Sequence, residues 1–444
     1  MISVHAEQVL SPVKIIAPKD SDLINIPLIG HQQRIEREEF ANTYLPLGEL
    51  LEQQAGIDIQ SIGGNGQYSF PTIRGSSGKQ VLVFWDGLLI NDLNGGSADI
   101  GALNLSSAGR IDIYRGMSPV ELSPTAVGGA INIQSQDLED SSGEAGITIG
   151  SFKTKEWYAS HNISNSNSNF YINVNQLTAE NNFEYLELKP VNSPQSPKTE
   201  SRKNNAVDNK GLLTKGHYNF NSAVRITATA QLQKNIREIS SKINTSENNA
   251  YLEQDASRIQ TAISNTSNQL GSTQLRISKQ NSKELYDDEN SNVGVGSQYN
   301  VYTTNKYGLA LKHEVQLNQL AIVFSAANEL EQIKTDFPHE EILPDDCSVG
   351  GKCTTDFTRS AKHLGTRFNI SILDPINVML QITRFQFKDK NDSNDEDEII
   401  NSENTSTTYD SGLNYRFSSG LEIYLKNGKQ VRPASSNELF GDKG

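Results

Sequence analysis

From Gly143 onward one texture repeats: apolar and polar residues alternate over segments of strand length, separated by polar connections. GITIGS, TKEWYASHNIS, NFYINVNQLTAEN, AVRITATAQLQK, YNVYTTNKYGLALKHEV and NVMLQITRFQFKD all carry it. A period of two is that of a β-strand whose two faces meet different surroundings. Roughly thirteen such segments of about ten residues follow one another, the length that crosses a bilayer at a tilt. Short links such as Asn221-Ser222 and Asp374-Pro375 alternate with long ones, Glu180 to Asn205, Ile236 to Asp255, Asp336 to Asp356 and Asp389 to Thr407. Short turns on one side and long loops on the other are expected of a transmembrane barrel. A soluble sandwich or adhesin also gives alternating strands. Trp157, Tyr158, Phe170 and Tyr171 are candidates for an interfacial aromatic girdle.

The stretch from Gln67 to Gln136 reads differently. Val81-Leu82-Val83-Phe84-Trp85 is a buried-strand run closed by the turn signal Asp86-Gly87. Ile111, Ile113, Ile131 and Ile133 alternate with polar residues. Arg74-Gly75 and Arg115-Gly116 each end a strand with a cation followed by a residue that tolerates positive φ. Upstream, Leu45 to Ala55 puts Leu47, Leu50 and Leu51 on one helix face, Gly56 stops it, and Ile57-Asp58-Ile59 continues as a strand. A compact mixed α/β unit is expected. Its glycine-rich loop, Ser61 to Gln67, lacks the lysine and following hydroxyl of a phosphate cradle, which excludes nucleotide binding. Taken as residues alone, Arg74 and Arg115 suit pairing with carboxylates, and Tyr68 and Phe70 suit packing as well as contact with a ligand.

Four fragments in sequence, IRG at Ile73 to Gly75, VLVFWDG at Val81 to Gly87, IDIYRG at Ile111 to Gly116 and GGAINI at Gly128 to Ile133, resemble the plug of TonB-dependent outer-membrane receptors. The chain departs from that family at Leu122-Ser123, where a Tyr-Gly pair is usual. The resemblance implies a small mixed α/β plug domain followed by an antiparallel transmembrane β-barrel in the Gram-negative outer membrane. It implies a leader over residues 1–30, a plug over 31–140 and a barrel over 141–444. Within the leader, Val13, Lys14, Ile15, Ile16 and Ala17 are similar to the box that pairs with TonB, the energy-transducing partner. An extended segment outside a fold suits addition to a partner's sheet edge; an inert leader or a strand of the plug are the other readings. Tyr68, Phe70, Asn91 and Asn94 then fall where the plug meets its ligand, an iron-siderophore or corrinoid complex, the cobalamin branch being nearest. Arg74 and Arg115 fall between plug and wall. The segment VRPASSNELF near the end resembles a late-barrel stretch. Against the 22 strands of plugged transporters, the count leaves roughly nine strands absent, so an incomplete barrel, truncated at the C-terminus, is expected.

Composition adjusts this picture little. Among 444 residues 35% are hydrophobic, and no apolar run is long enough for a spanning helix. The net charge of -14 disfavours nucleic acid. Cys347 and Cys353, close together in a polar loop, suit a local disulfide in an oxidising compartment, with a two-thiolate metal site as the alternative. The start, MISVHA, is no complete secretion signal, although Val4-His5-Ala6 has the form of the tail of one. The acidic runs Asp287-Asp288-Glu289 and Asp389 to Glu398 offer carboxylates to calcium but lack the spacing of a calcium loop, and solvated surface is the plainer reading. The seven histidines are scattered, and no nucleophile-base or paired-carboxylate arrangement indicates an enzyme.

Overall fold

The computed structural model describes residues 32–440, apart from 42, 44, 92–95, 125, 138, 188–197, 242–243, 268–269, 295, 337–354, 374 and 394–398. The first part is built on a five-stranded sheet. Its strands are β1 (Gln32–Glu36), β4 (Val81–Trp85), β5 (Leu88–Leu89), β6 (Ala108–Arg115) and β7 (Gly129–Ser135), in the order β1-β6-β7-β4-β5. Only the β4 to β7 pairing is parallel, with Val83 opposite Ile131. A separate hairpin pairs β2 (Ile57–Ser61) with β3 (Ser69–Ile73), and α1 (Leu47–Glu52) packs beside it. All five residues of β4 are buried, and Ile111, Ile113, Ile131 and Ile133 are fully buried with Leu47, Leu50 and Leu51 of α1. Each such side chain contributes about 1.5–3 kcal/mol on leaving water. Gly56 ends α1's turn at φ 76°, where a side chain would be strained.

Around this unit curves one antiparallel sheet of thirteen strands. In chain order they are β8 (Ser142–Ile149), β9 (Lys155–Ser164), β10 (Ser168–Ala179), β13 (Val207–Asn219), β14 (Val224–Glu238), β15 (Tyr251–Ser267), β16 (Gly271–Asp288), β17 (Gln298–Leu317), β18 (Leu320–Asp336), β19 (Thr355–Leu373), β20 (Ile376–Ser393), β21 (Ile399–Arg416) and β22 (Glu422–Lys429). The remaining pair, β11 (Glu184–Glu187) and β12 (Lys198–Ser201), is a hairpin within one connection, and α2 (Ser436–Phe440) follows β22. Neighbours in the sheet are neighbours in sequence throughout, apart from the hairpin excursion. Among the described residues β8 and β22 pair with no strand on their outer sides, so the sheet does not close. The short connections, such as 165–167, 220–223 and 318–319, lie at one end of the sheet, and the long ones, such as 180–206 and 239–250, at the other.

The distribution of polarity across this sheet separates barrel from sandwich. Outward positions are apolar and exposed: Ile259, Ile263, Leu275, Ile277, Leu309, Leu364, Leu380 and Ile382 among them. Inward positions are polar and buried: Asn173, Asn209, Gln231, Gln233, Arg237, Lys306, Arg367, Gln381 and Thr383. A water-soluble sandwich buries its apolar face; a wall standing in lipid exposes it. On β20 the outward series passes from Leu380 and Ile382 to Arg384, Lys388 and Lys390, so the strand leaves the apolar band towards the long-loop end.

Several expectations are corrected by this alternation. Trp157 and Phe170 are exposed on the outer face, but Tyr158 and Tyr171 point inward, and Tyr171 is 1% exposed within the plug's core cluster. Adjacent strand residues face opposite sides, so no such pair contributes twice to one girdle. The strands are also longer than expected, up to the twenty residues of β17, and they absorb the flanks of the presumed loops. Asp389 is one consequence: it lies inside β20, 4% exposed, rather than in a solvated loop. Asp288 is another, fully buried and accepting from the backbone N–H groups of Asn292, Val293 and Gly294 at 2.7–3.0 Å.

Candidate functional site

Plug and wall meet at several places, among them three zones. At the long-loop end, the glycine-rich loop after β2 is tied to the rim. Gly66 O accepts from Arg237 Nε (2.9 Å) and Asn209 Nδ2 (3.2 Å), and Asn65 O accepts from Asn181 Nδ2 (3.0 Å). Gln67 Nε2 donates to the carbonyls of Asn205 (3.0 Å) and Glu238 (3.1 Å). Arg237, 3% exposed, also forms an ion pair with Asp99 of the plug, whose other oxygen accepts from the Gly101 N–H (3.0 Å). The loop can lie this close because Gly101 has no side chain: a Cβ there would stand 1.9 Å from Gln67 O.

In the middle, two hollows of about 70 and 90 Å³ lie between the wall and the plug around the end of β5, sharing Leu89, Asn91, Lys306 and Glu331 as lining. Lys306 reaches Glu331 at 3.6 Å and Glu329 at 3.9 Å. Arg359 grips Asp389 through Nε (2.6 Å) and Nη2 (3.0 Å), as expected of two residues in cross-strand register. Its guanidinium stands 5.7 and 5.5 Å from the ring centres of Phe357 and Phe387, and Phe387 stacks on Phe385 at 6.0 Å. The segment after β22 folds back over this space. Arg359 donates to Ala434 O (2.7 Å), and Arg432 grips Glu438 through two 2.9 Å bonds, which with the Ser435 N–H hold that carboxyl down at about 2. The smaller hollow is lined by Lys79, Lys306, Arg359 and Arg432 with Glu329 and Glu331, and since Asp389 and Glu438 hold the two arginines, these cations are balanced by carboxylates.

Nearer the short-turn end, Glu121 of the plug faces Arg367 of β19 at 3.4 Å and Lys312 of β17 at 4.0 Å. Burial pushes its carboxyl up, but Arg367 and Lys312 outweigh that and hold it below the ordinary value. Gln381 donates to Ser118 O (3.0 Å) and Lys426 to Gly116 O (3.1 Å).

Of the expected site residues, Tyr68 and Phe70 lie half-buried beside the glycine-rich loop, rings 5.8 Å apart. Asn91 is 9% exposed and works inside the plug: its Oδ1 accepts from Val83 N (2.8 Å), and its Nδ2 donates to Val81 O (2.9 Å) and Gly96 O (3.1 Å). Arg115 donates to Ala55 O (3.0 Å) and Gln33 Oε1 (2.8 Å), both also in the plug. Arg74 is exposed at a turn with φ 52°. Ion pairs that do cross the boundary include those of Arg237, Arg367 and Lys312 from the wall, and that of Arg37 of the plug with Glu144 of β8 (2.7 Å). Val13 to Ala17, Asn94, Cys347 and Cys353 lie outside the described residues. Among the described residues no three His, Cys, Asp or Glu side chains are grouped to hold a metal ion.

A small α/β unit inside a curved sheet with a polar interior is the plug-and-barrel architecture. Residues 30–130 match the family model described as TonB-dependent Receptor Plug Domain. A relative from Vibrio vulnificus (strain YJ016), Vitamin B12 transporter BtuB, is 34% identical over 86 residues, 19% of this chain and 14% of that relative. The siderophore receptor PiuA from Acinetobacter baumannii superposes over 93% of this chain and 66% of its own, with a TM-score of 0.67 and 15% identity. For the copper transporter OprC the shares are 93% and 64%, with a TM-score of 0.75 and 10% identity. The N-terminal part of the chain is thus a TonB-dependent receptor plug domain, and the whole has the plug-and-barrel fold of such receptors. The chain spans about two thirds of the length of these solved receptors.

Proposed function

We propose that this chain works as a TonB-dependent outer-membrane receptor that takes up a scarce metal chelate, a ferric siderophore or a cobalamin-like corrinoid, with the long loops outward. The observation that carries the reading is a plug lodged inside a wall that is polar within and apolar without, with a charged, partly aromatic chamber between them, Lys306 and Arg359 with Phe385 and Phe387. Metal chelates that cannot diffuse through a membrane are commonly anionic, and desolvated cations beside ring faces suit them. Val13 to Ala17 pairs with the energy-transducing partner at its sheet edge, and the pull it transmits displaces part of the plug. No bond is made or broken; the work is a change in which contacts hold the plug.

The relatives divide over cargo: vitamin B12 for the Vibrio relative, a siderophore and copper for the two solved receptors named above. The test is uptake of radiolabelled ferric siderophore and of cyanocobalamin by cells carrying the chain in their outer membrane. Uptake of one of them should vanish on deleting Val13 to Ala17 or collapsing the proton gradient, while surface binding persists. Uptake indifferent to both would make the chain a passive pore, and binding without uptake in any condition a non-transporting surface protein.

A further inference from the structure

The inner face of β19 and β20 carries a polar cluster that the chamber does not use. Arg367, Asn369, Gln381 and Thr383 lie there, 3%, 8%, 3% and 1% exposed, with His363 alongside. Register sets Arg367 opposite Gln381 and Gly365 opposite Thr383. A Cβ on Gly365 would stand 3.2 Å from each of His363 Nε2, Thr383 Oγ1 and Val120 Cβ, so the glycine leaves a space on which wall and plug converge. Arg367 Nε, both side-chain polar atoms of Asn369, Thr383 Oγ1, Gln381 Oε1, both ring nitrogens of His363 and, from the plug, Ser118 Oγ are buried with no hydrogen-bond partner among the described residues. Such groups cost about 1–3 kcal/mol each when left unpaired, so a run of them along two paired strands marks a built polar site rather than a packing accident.

The chemistry of the donors selects the ligand. Arg367 supplies a guanidinium with its Nε unengaged, beside hydroxyls and an amide N–H that donate; Lys312 adds a second cation, held from the wall side by Glu314 at 2.7 Å, and the two cations disfavour a metal ion. An arginine fork matches a carboxylate through two parallel bonds. Glu121 occupies the site incompletely: its contacts of 3.4 and 4.0 Å are long beside the roughly 2.7–2.9 Å of a tight charge-assisted bond. We propose that this cluster is a carboxylate-binding socket, filled in the resting chain by Glu121 as a tethered and loosely fitting occupant. Once the plug loop withdraws, it receives a carboxylate arm of the passing chelate. That second step rests on the uptake reading; the socket itself does not.

Acetate is the probe, and hydrogen exchange in the full chain is the readout, at the Leu122 N–H that bonds to Pro119 O (3.0 Å). Glu121→Ala should speed exchange there by about tenfold, and acetate at about 0.1 M should slow it again, as binding to the folded form requires. Sodium chloride at equal ionic strength should not slow it, and acetate should do nothing for Glu121→Ala combined with Arg367→Gln or with Lys312→Met. Equal effects of acetate and chloride, rescue of both double variants, or an unchanged single variant would overturn the socket. If acetate rescues but chelate uptake is never seen, the socket stands and the step that depends on plug withdrawal falls.

Discussion

Replacing Arg237 with Ala tests how firmly the plug is held at the long-loop end. The side chain is 3% exposed, donates to Gly66 O at 2.9 Å and pairs with Asp99. Removing one member of a buried ion pair costs about 3–5 kcal/mol, because the other charge is left without compensation. Asp99 keeps a bond from Gly101 N (3.0 Å) and a longer one from Ser69 N (3.4 Å), and its side chain is 15% exposed, which places the cost near the lower figure. At about 1.4 kcal/mol per tenfold, ~3 kcal/mol is roughly a hundredfold rise in the population with the loop detached. Hydrogen exchange at Gln67 N–H, which bonds to Gly64 O, reads that population directly. Lys153→Ala is the comparison, since the Lys153–Glu180 pair is 65% and 47% exposed and should matter by less than about 1 kcal/mol. Adding Asp99→Asn to Arg237→Ala should recover part of the loss, because the uncompensated charge goes with it. Similar effects of Arg237→Ala and Lys153→Ala, or a double variant as poor as the sum of its parts, would show that the loop is held by something else.

Gly101→Ala should lower the thermal midpoint clearly and speed exchange across the glycine-rich loop, since the new Cβ meets a backbone oxygen at 1.9 Å, whereas Gly150→Ala, with its nearest contact at 3.4 Å, should be mild. Ile277→Arg places a charge on an outward residue that is 60% exposed beside Thr261 and Leu309. In a lipid-facing wall this costs about 2–4 kcal/mol near the bilayer midplane, so folding into vesicles should suffer while Lys390→Arg, beyond the apolar band, stays silent; a soluble sandwich would tolerate both. Glu121 gives a pH dependence whose sign is fixed by its lowered carboxyl: its contribution is complete above about 4.5 and is lost as pH falls through the lower folded value. Exchange at Leu122 corrected for intrinsic rates should therefore rise on acidification below that point, and the rise should be absent in Glu121→Gln.

How much of this could be read from the residues follows from the range of the interactions. The plug's core was legible because Val81 to Trp85 and the alternating isoleucines report burial through neighbours along the chain. The wall's strands were legible for the same reason, since period-two alternation is local. Which residues cross the boundary was not: Arg237 and Asp99 are 138 positions apart, and Glu121 and Arg367 are 246 apart, so only strand order and register bring them together. Asp389 looked like solvated surface because it opens an acidic run, yet in the sheet its register partner is Arg359, thirty residues earlier. Arg74 and Arg115 were conspicuous beside their glycines, but the bonds of Arg115 to Ala55 and Gln33 serve the plug's own closure.

The three zones differ in tightness, and the order of that difference bears on how a plug can be both a seal and a moving part. At the long-loop end a buried guanidinium, three rim amides and a glycine-permitted close approach hold one loop at several points, with the closest bonds near 3 Å. Towards the short-turn end the charged contacts are uneven: Glu121 stands 3.4 and 4.0 Å from its cations, beside groups left unpaired among the described residues, whereas Arg37 grips Glu144 of β8 at 2.7 Å. A load on the Glu121 segment therefore meets a loose fastening, whereas one on the Arg37 segment meets a tight one. Cooperative release of everything at once would demand the sum of all the contacts, whereas sequential release demands only the weakest at each step. The glycine-rich loop, tied to the rim by Asn181, Asn205, Asn209 and Arg237, then keeps its place while the Glu121 segment yields, and the chamber between them stays assembled for as long as those bonds last.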